Sequence, residues 1–374
     1  MSASQLLRDL IAIPSVNPDG EPGTDQTGEK ACGEFVGNFL QKCGAEVTFD
    51  EVLPDRANVI GKFPCESGAQ ETLLFGPHLD TVGIAGMTID PFGAELRDGK
   101  IWGRGASDTK GSMAAMLWAL QEKRDLLPKL GTQILFVGFM SEESSQYGSQ
   151  DFGKRYGEEV DFAVVGEPTK LDVVYAHKAC WWLELTTRGK AAHSSRPELG
   201  DNAVIKMTHV LQAIENSYRP SLAEFEDEVL GLPTVSANMF HGGSRANIVP
   251  DSCTATIDIR ATPSLYQRGV VETTRSFLDQ AGFPDVEIKV VGKSPTLRTD
   301  PQNPYVKKLQ SCGSALVDAP WFCDGGWLAE AGIPSIAIGP GSIDQAHTKD
   351  EWIAVEDLEA GARYFERFLE TLLS

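Results

Sequence analysis

The chain has 374 residues, 41% hydrophobic and 23% charged, enough for one large or two medium domains with sizeable cores. Its formal charge of −20 at pH 7 argues against nucleic acid and anionic membrane surfaces as partners, because both draw on clustered Lys and Arg. No apolar run has the length of a membrane span, and the 7 cysteines are widely spaced with no C-x-x-C, which argues against a disulfide framework or a thiolate zinc site and for a reducing compartment.

The opening, MSASQLLRDL, has an early acid and lacks the basic-then-apolar layout of a secretory signal, so the expected compartment is the cytoplasm. Residues 4–12 read as a short helix with Leu6, Leu7, Leu10 and Ile11 on one face, broken by IPSVNPDG. Residues 24–43 read as a second helix, with Ala31, Phe35 and Phe39 inward and Gly44 just past its end. ETLLFGPHLD is a strand running into a loop, and LRDGKIWGRG a hairpin around Asp98-Gly99. Residues 110–124 form a helix, with Met113, Met116, Leu117 and Leu120 at helical spacing. QILFVGF, DFAVVGE and, much later, IPSIAIGPG are buried strands. Apolar runs alternating with helices predict a largely parallel α/β sheet.

Between about 178 and 292 the texture changes. CWWLELTTRG alternates like a half-exposed strand, and DNAVIKMTHVLQAIENSY is an amphipathic helix. TVSANMFHGG and SCTATIDIRA are antiparallel strands, SLYQRGVVETTRSFLDQAG is a second helix, and VEIKVVG a last strand. The order β-α-β-β-α-β describes a compact α+β, ferredoxin-like module. An α/β-type strand, IPSIAIG, returns after it. The expected organisation is therefore an α/β catalytic domain of residues 1–177 and 293–374, with an inserted domain of residues 178–292.

Polar groups of one kind recur at the strand ends. LLFGPHLD ends in His78 and Asp80, ILFVGFMSEE in Glu142 and Glu143, FAVVGEPT in Glu167, and IAIGPGSIDQAH leads into His347. GRGASDTKGSMAAML places Asp108 at the entry to a helix. Ligands of open α/β sheets bind outside the carboxyl ends of the strands. Imidazoles with carboxylates and no thiolate suit Zn²⁺, Co²⁺ or Mn²⁺. Taken singly, HLD reads as a loop, SEE as a solvated turn, Asp108 as a helix cap, Glu167 before Pro168 as a strand-ending turn, and His347 as surface. Independent readings of that kind leave the recurrence unexplained.

PHLDTV, GRGASDTKGSMAAML, SEE, GEPT, GKAAHSSRP and GPGSIDQAHTKDE, in that order along nearly the whole chain, resemble the co-catalytic zinc family of aminoacylases and carboxypeptidases. That family includes acetylornithine deacetylase and succinyl-diaminopimelate desuccinylase. The resemblance implies a zinc-hydrolase catalytic domain with an inserted lid and dimerisation domain. It implies two divalent metal ions, Zn²⁺ first and Co²⁺ as the alternative. Asp108 would bridge them, with His78 and Glu167 completing one site and Glu143 and His347 the other. Asp80 would orient the His78 imidazole, and a cis peptide would follow Asp108.

Glu142 would then be the general base and acid, taking a proton from a water polarised between the cations and handing it to the departing amine. The resemblance also implies that His193, in AAHSSRP, donates to the carbonyl oxygen as it becomes an oxyanion, from the partner subunit in dimeric members. Asn247 and Arg260 would lie near the distal polar groups of the substrate. Singly, His193 also reads as a turn histidine and Arg260 as a surface strand arginine. His177, His209 and His241 receive no role.

GPGSIDQAH is most similar to the acetylornithine deacetylases, whereas FCDGGW, with Cys323 before Asp324, departs from the Gly-Thr-Asp of many relatives. The expected activity is deacylation of a small N-acyl amino acid, N²-acetyl-L-ornithine first, by a cytoplasmic homodimer. The alternatives are N-succinyl-diaminopimelate, a dipeptidase or carboxypeptidase, and an inactive metal-binding scaffold. A two-metal phosphoesterase is disfavoured because no Lys or Arg cluster flanks the proposed ligands.

Overall fold

The computed structural model describes residues 2–19, 26–66 and 68–373. The chain divides into two compact units. One comprises Met1–Ala176, Leu297–Val317 and Cys323–Ser374; the other comprises His177–Thr296 and Asp318–Phe322.

The larger unit is built on a nine-stranded mixed sheet. At its centre Thr132–Gly138, Glu71–Gly76, Phe162–Val165 and Ser335–Ala337 run parallel to one another, in that order across the sheet. Beyond their first residues they are apolar without alternation, and Leu73, Leu74, Phe75, Phe136, Val137, Val164 and Ile336 are all buried. Strands covered on both faces need that composition. Phe75 packs edge-on against Phe365 and Phe368 of the helix Val355–Thr371, and Phe139 against Phe152 of the helix Tyr147–Tyr156.

The sheet is less uniformly parallel than expected. Glu46–Leu53 and Arg56–Lys62 form an antiparallel hairpin, and its second strand adds antiparallel to Thr132–Gly138. The second helix is Lys30–Lys42, shorter than residues 24–43; Thr27 bridges Val16 instead, and positions 24 and 25 lie outside the described residues. The hairpin at Asp98-Gly99 forms as expected, with φ of 53° and 71° in its two-residue turn.

The smaller unit carries a four-stranded antiparallel sheet in the order Thr234–Gly242, Ser252–Ala261, Ala179–Arg188, Glu287–Ser294. Along Ser252–Ala261 burial alternates strictly, with Cys253, Ala255, Ile257, Ile259 and Ala261 inward. Met207, Val210 and Leu278 from its helices complete that core. The expected single helix after Ser264 is two, Pro263–Arg268 and Val270–Gln280, because Gly269 breaks the path at φ 94°.

Candidate active site

His78, the second residue after Glu71–Gly76, is 1% exposed. Its Nδ1 lies 3.0 Å from the Asp80 carbonyl oxygen and 3.5 Å from Asp80 Oδ1. Both neighbours accept, so Nδ1 carries the proton and donates. Nε2 therefore turns its lone pair on Asp108 Oδ1, 3.0 Å away. Two acceptors that close repel unless a proton or a cation stands between them.

Asp108 presents its other oxygen, Oδ2, to His347 Nε2 at 3.4 Å, and the same nitrogen lies 3.0 Å from Glu143 Oε2. One carboxylate thus faces two imidazoles, one with each oxygen. It does not cap the following helix, whose N-cap is Thr109. The Asp108-Thr109 peptide is cis. Ligand atoms of His78, Asp108 and Glu143 all lie within 4.8 Å of one another.

The paired glutamates sit just beyond Thr132–Gly138, past Ser141 at φ 66°. Asp80 tethers both: its Oδ1 accepts from the Glu142 N–H and its Oδ2 from the Glu143 N–H, each at 3.0 Å. Asn17 Nδ2 donates to the same carboxylate at 2.7 Å. The side chains then part. Glu143 turns to His347 and to the Val82 N–H, while Glu142 Oε1 accepts from Gln146 Nε2 at 2.9 Å. Glu167, after Phe162–Val165, is 4% exposed, and its Oε1 has no hydrogen-bond partner among the described residues.

Burial pushes Glu142 and Glu167 well above the usual carboxylate range, with neighbouring acids adding to it. Burial and then Asp108 push Glu143 up to about 7. Hydrogen bonds to Asp108 and Glu143 raise His347 to about 10. Burial works against a charged His78, yet its bonds to Asp108 and Asp80 raise it well above its ordinary value. Burial likewise opposes the Asp108 charge, but His347 and His78 hold that carboxyl below its usual range. The cluster thus retains protons because it is short of positive charge. Acceptors facing acceptors, a partnerless buried Glu167 Oε1 and an oxygen–imidazole donor set all fit divalent cations.

Further side chains in this unit bear on the site, and two of them, Glu351 and Arg104, were not singled out in the sequence. Glu351, fully buried, accepts from Arg104 Nη1 at 2.8 Å and from the N–H groups of Gly105, Ser107 and Asp108 at 2.7–2.9 Å. Arg104 Nη2 also donates to the Thr348 carbonyl at 3.2 Å, so the pair ties the His347 loop to the turn carrying Asp108. Both residues lie in the quoted motifs, GPGSIDQAHTKDE and GRGASDTKGSMAAML, but nothing local marks them as buried. Asp324 is fully buried, accepts from Ser149 Oγ, and is pushed up to about 7 by burial. Its neighbour Cys323 is buried too, and burial pushes the thiol well up.

In the smaller unit, Ala192–His193 pairs with Ile248–Val249, and the Ser194 N–H donates to the Asn247 carbonyl at 3.1 Å. The His193 ring is exposed, with Nδ1 accepting from the Ser195 N–H at 3.2 Å and lying 2.7 Å from Ser195 Oγ, which leaves Nε2 as the nitrogen available to donate. Asn247 is exposed beside it. Arg260 stands on the four-stranded sheet in a bidentate pair with Asp258, at 2.8 and 3.1 Å.

The sequence model of peptidase family M20/M25/M40 matches residues 74–371. The acetylornithine deacetylase of Vibrio vulnificus is 27% identical over 361 residues, covering 94% of this chain and 93% of that protein. The M20 family metallo-carboxypeptidase Sso-CP2 of Sulfolobus solfataricus superposes with a TM-score of 0.82 at 21% identity, over 100% of this chain and 99% of that one. The YXEP protein of Bacillus subtilis, described as a dinuclear metal-binding peptidase, gives 0.71 at 15% identity over 99% and 97%.

Proposed function

The chain belongs to peptidase family M20/M25/M40 and is a metallohydrolase of amide bonds, and from that premise we propose that it deacylates N-acyl amino acids, with N²-acetyl-L-ornithine as its substrate. The observation that carries the reading is the Asp108 carboxylate, facing His78 with one oxygen and His347 with the other. His78, Asp108 and Glu167 would hold one divalent ion, and Asp108, Glu143 and His347 a second, Zn²⁺ in preference to Co²⁺. Such ions supply a polarised carbonyl and a water acidified towards neutrality.

The rest falls to the chain. Asp80 keeps the His78 proton on Nδ1 and leaves Nε2 as the ligand atom. Glu142 has one oxygen anchored by Gln146, which leaves Oε2 to take the proton of the attacking water and deliver it to the departing amine nitrogen. His193 would donate from Nε2 to the oxygen that gains charge, with Asn247 and Arg260 towards the distal end of the substrate. Arg260 would have to share its guanidinium with Asp258. The acetyl-ornithine choice draws on the Vibrio vulnificus relative.

The proposal includes a homodimer through the inserted unit, where the edge strand Thr234–Gly242 exposes Met239 and Phe240. The test is amine release by Zn²⁺- or Co²⁺-loaded protein from N²-acetyl-L-ornithine and N-succinyl-LL-diaminopimelate at equal concentration, with a chelated control. A chelator-sensitive preference of about tenfold for the acetyl substrate, about 1.4 kcal/mol in the transition state, is expected. The reverse preference assigns the succinyl substrate instead. Turnover of neither discards both and directs the assay to dipeptides.

A further inference from the structure

We infer that Gln146 and Trp327 are positioning residues that set the carboxylate of Glu142, an inference that rests on Glu142 being the proton-transfer group. Gln146 stands at the N-cap of Tyr147–Tyr156 with left-handed backbone angles, φ 53° and ψ 33°, yet its side chain makes no capping bond. Side-chain capping goes with extended angles at this position, and Gln146 turns its amide elsewhere. It is 1% exposed, and both ends of its amide are used. Nε2 donates to Glu142 Oε1 at 2.9 Å, and Oε1 accepts from Trp327 Nε1 at 3.0 Å.

The indole nitrogen can only donate, so it dictates which end of the amide faces it. The amide oxygen is thereby held towards Trp327 and the NH₂ towards Glu142. Flipped, the amide would set oxygen against oxygen at Glu142. The consequence is positional: Glu142 Oε1 is pinned, and Oε2, which has no hydrogen-bond partner among the described residues, is the oxygen left to handle a proton. The backbone that carries the amide is itself fixed, because the Gln146 N–H donates to the Ser141 carbonyl at 2.6 Å. Ser149 Oγ links the Gln146 carbonyl, at 3.2 Å, to the Asp324 carboxylate.

The experiment uses the full-length, metal-loaded enzyme and whichever amide substrate it turns over, with kcat, KM and bound metal measured for each variant. Gln146→Met keeps length and loses both polar ends. It is expected to lower kcat about 10- to 100-fold, the scale of a misplaced catalytic group, with KM within about twofold and metal content unchanged. Trp327→Phe keeps a ring and loses the N–H, and is expected to lower kcat about three- to tenfold. Because Trp327 acts through Gln146, the double variant is expected to be no slower than Gln146→Met alone.

Wild-type kcat in either single variant overturns the inference, as do effects that multiply in the double variant. Trp327→Phe keeps the test decisive if Gln146→Met does not fold. Glu142→Ala separates the two readings. If it binds metal and loses turnover while Gln146→Met does not, the positioning role fails and the base survives. If Glu142→Ala turns over normally, the base assignment fails and takes this inference with it.

Discussion

At the scale of single residues, the site is held by carboxylates of two kinds. Those facing the imidazoles, Asp108 and Glu143, have oxygens that want a cation. Glu351 does not: its two oxygens are satisfied by one guanidinium and three backbone N–H groups. Its work is to fix the turn from Arg104 to Asp108 and, through Arg104, the loop that carries His347. Glu351→Gln replaces one accepting oxygen by a donor facing donors and leaves Arg104 buried without its counter-charge. Breaking one partner of a buried pair costs about 3–5 kcal/mol, and loss of a group that orients metal ligands weakens metal binding about 10- to 100-fold. We therefore expect a clearly lower thermal midpoint and weaker Zn²⁺ binding by calorimetry. A variant that loses stability but binds Zn²⁺ like the wild type would make Glu351 a fold residue only.

At the scale of elements, burial decided what could be read in the sequence. The four central strands carry apolar, buried runs because both faces are covered, and the expected groups follow them: His78, the paired glutamates and Glu167 within a few residues, His347 ten residues on. The hairpin strands Glu46–Leu53 and Arg56–Lys62 escaped because the first is largely exposed and mixes Thr, Asp and Glu with its apolar residues. The candidate ligands were legible because His, Asp and Glu at strand ends are chemically conspicuous. Gln146, Trp327, Glu351 and Arg104 were not, since each matters through a partner more than a hundred residues away in sequence or through a turn that only the fold creates. Gly269 shows the same limit. The apolar spacing runs straight through it, but φ 94° with ψ 112° is a region that side chains avoid. Gly269→Ala should cost about 2 kcal/mol, read as a lower urea midpoint with unchanged metal content. No change in midpoint would mean that the two short helices can fuse.

At the scale of the whole molecule, stability and metal binding are linked through the same protons. Without metal, Glu143 in the folded chain keeps its proton up to about 7, whereas the unfolded chain releases it near 4.5. The folded state therefore binds more protons across that window, and its stability falls as pH rises through it. His347, raised from 6.5 to about 10, acts in the same direction at higher pH: its contribution is full below 6.5 and is lost as pH climbs. Asp108, held below its ordinary value of 3.8, acts oppositely, but only in acid below the range of interest. The net charge of −20 adds self-repulsion that also grows as carboxyls ionise. Divalent metal needs Glu143 and His347 without their protons, so it competes with these protons and gains as they leave. The thermal midpoint in chelator should accordingly fall between pH 5 and pH 7.5, while the gap between metal-loaded and chelated protein widens by several degrees. Calorimetric titration of Zn²⁺ at pH 6 in buffers of different ionisation enthalpy should report net proton release. A gap that stays constant with pH, or metal uptake without proton release, would mean that Glu143 and His347 are not where the metal binds.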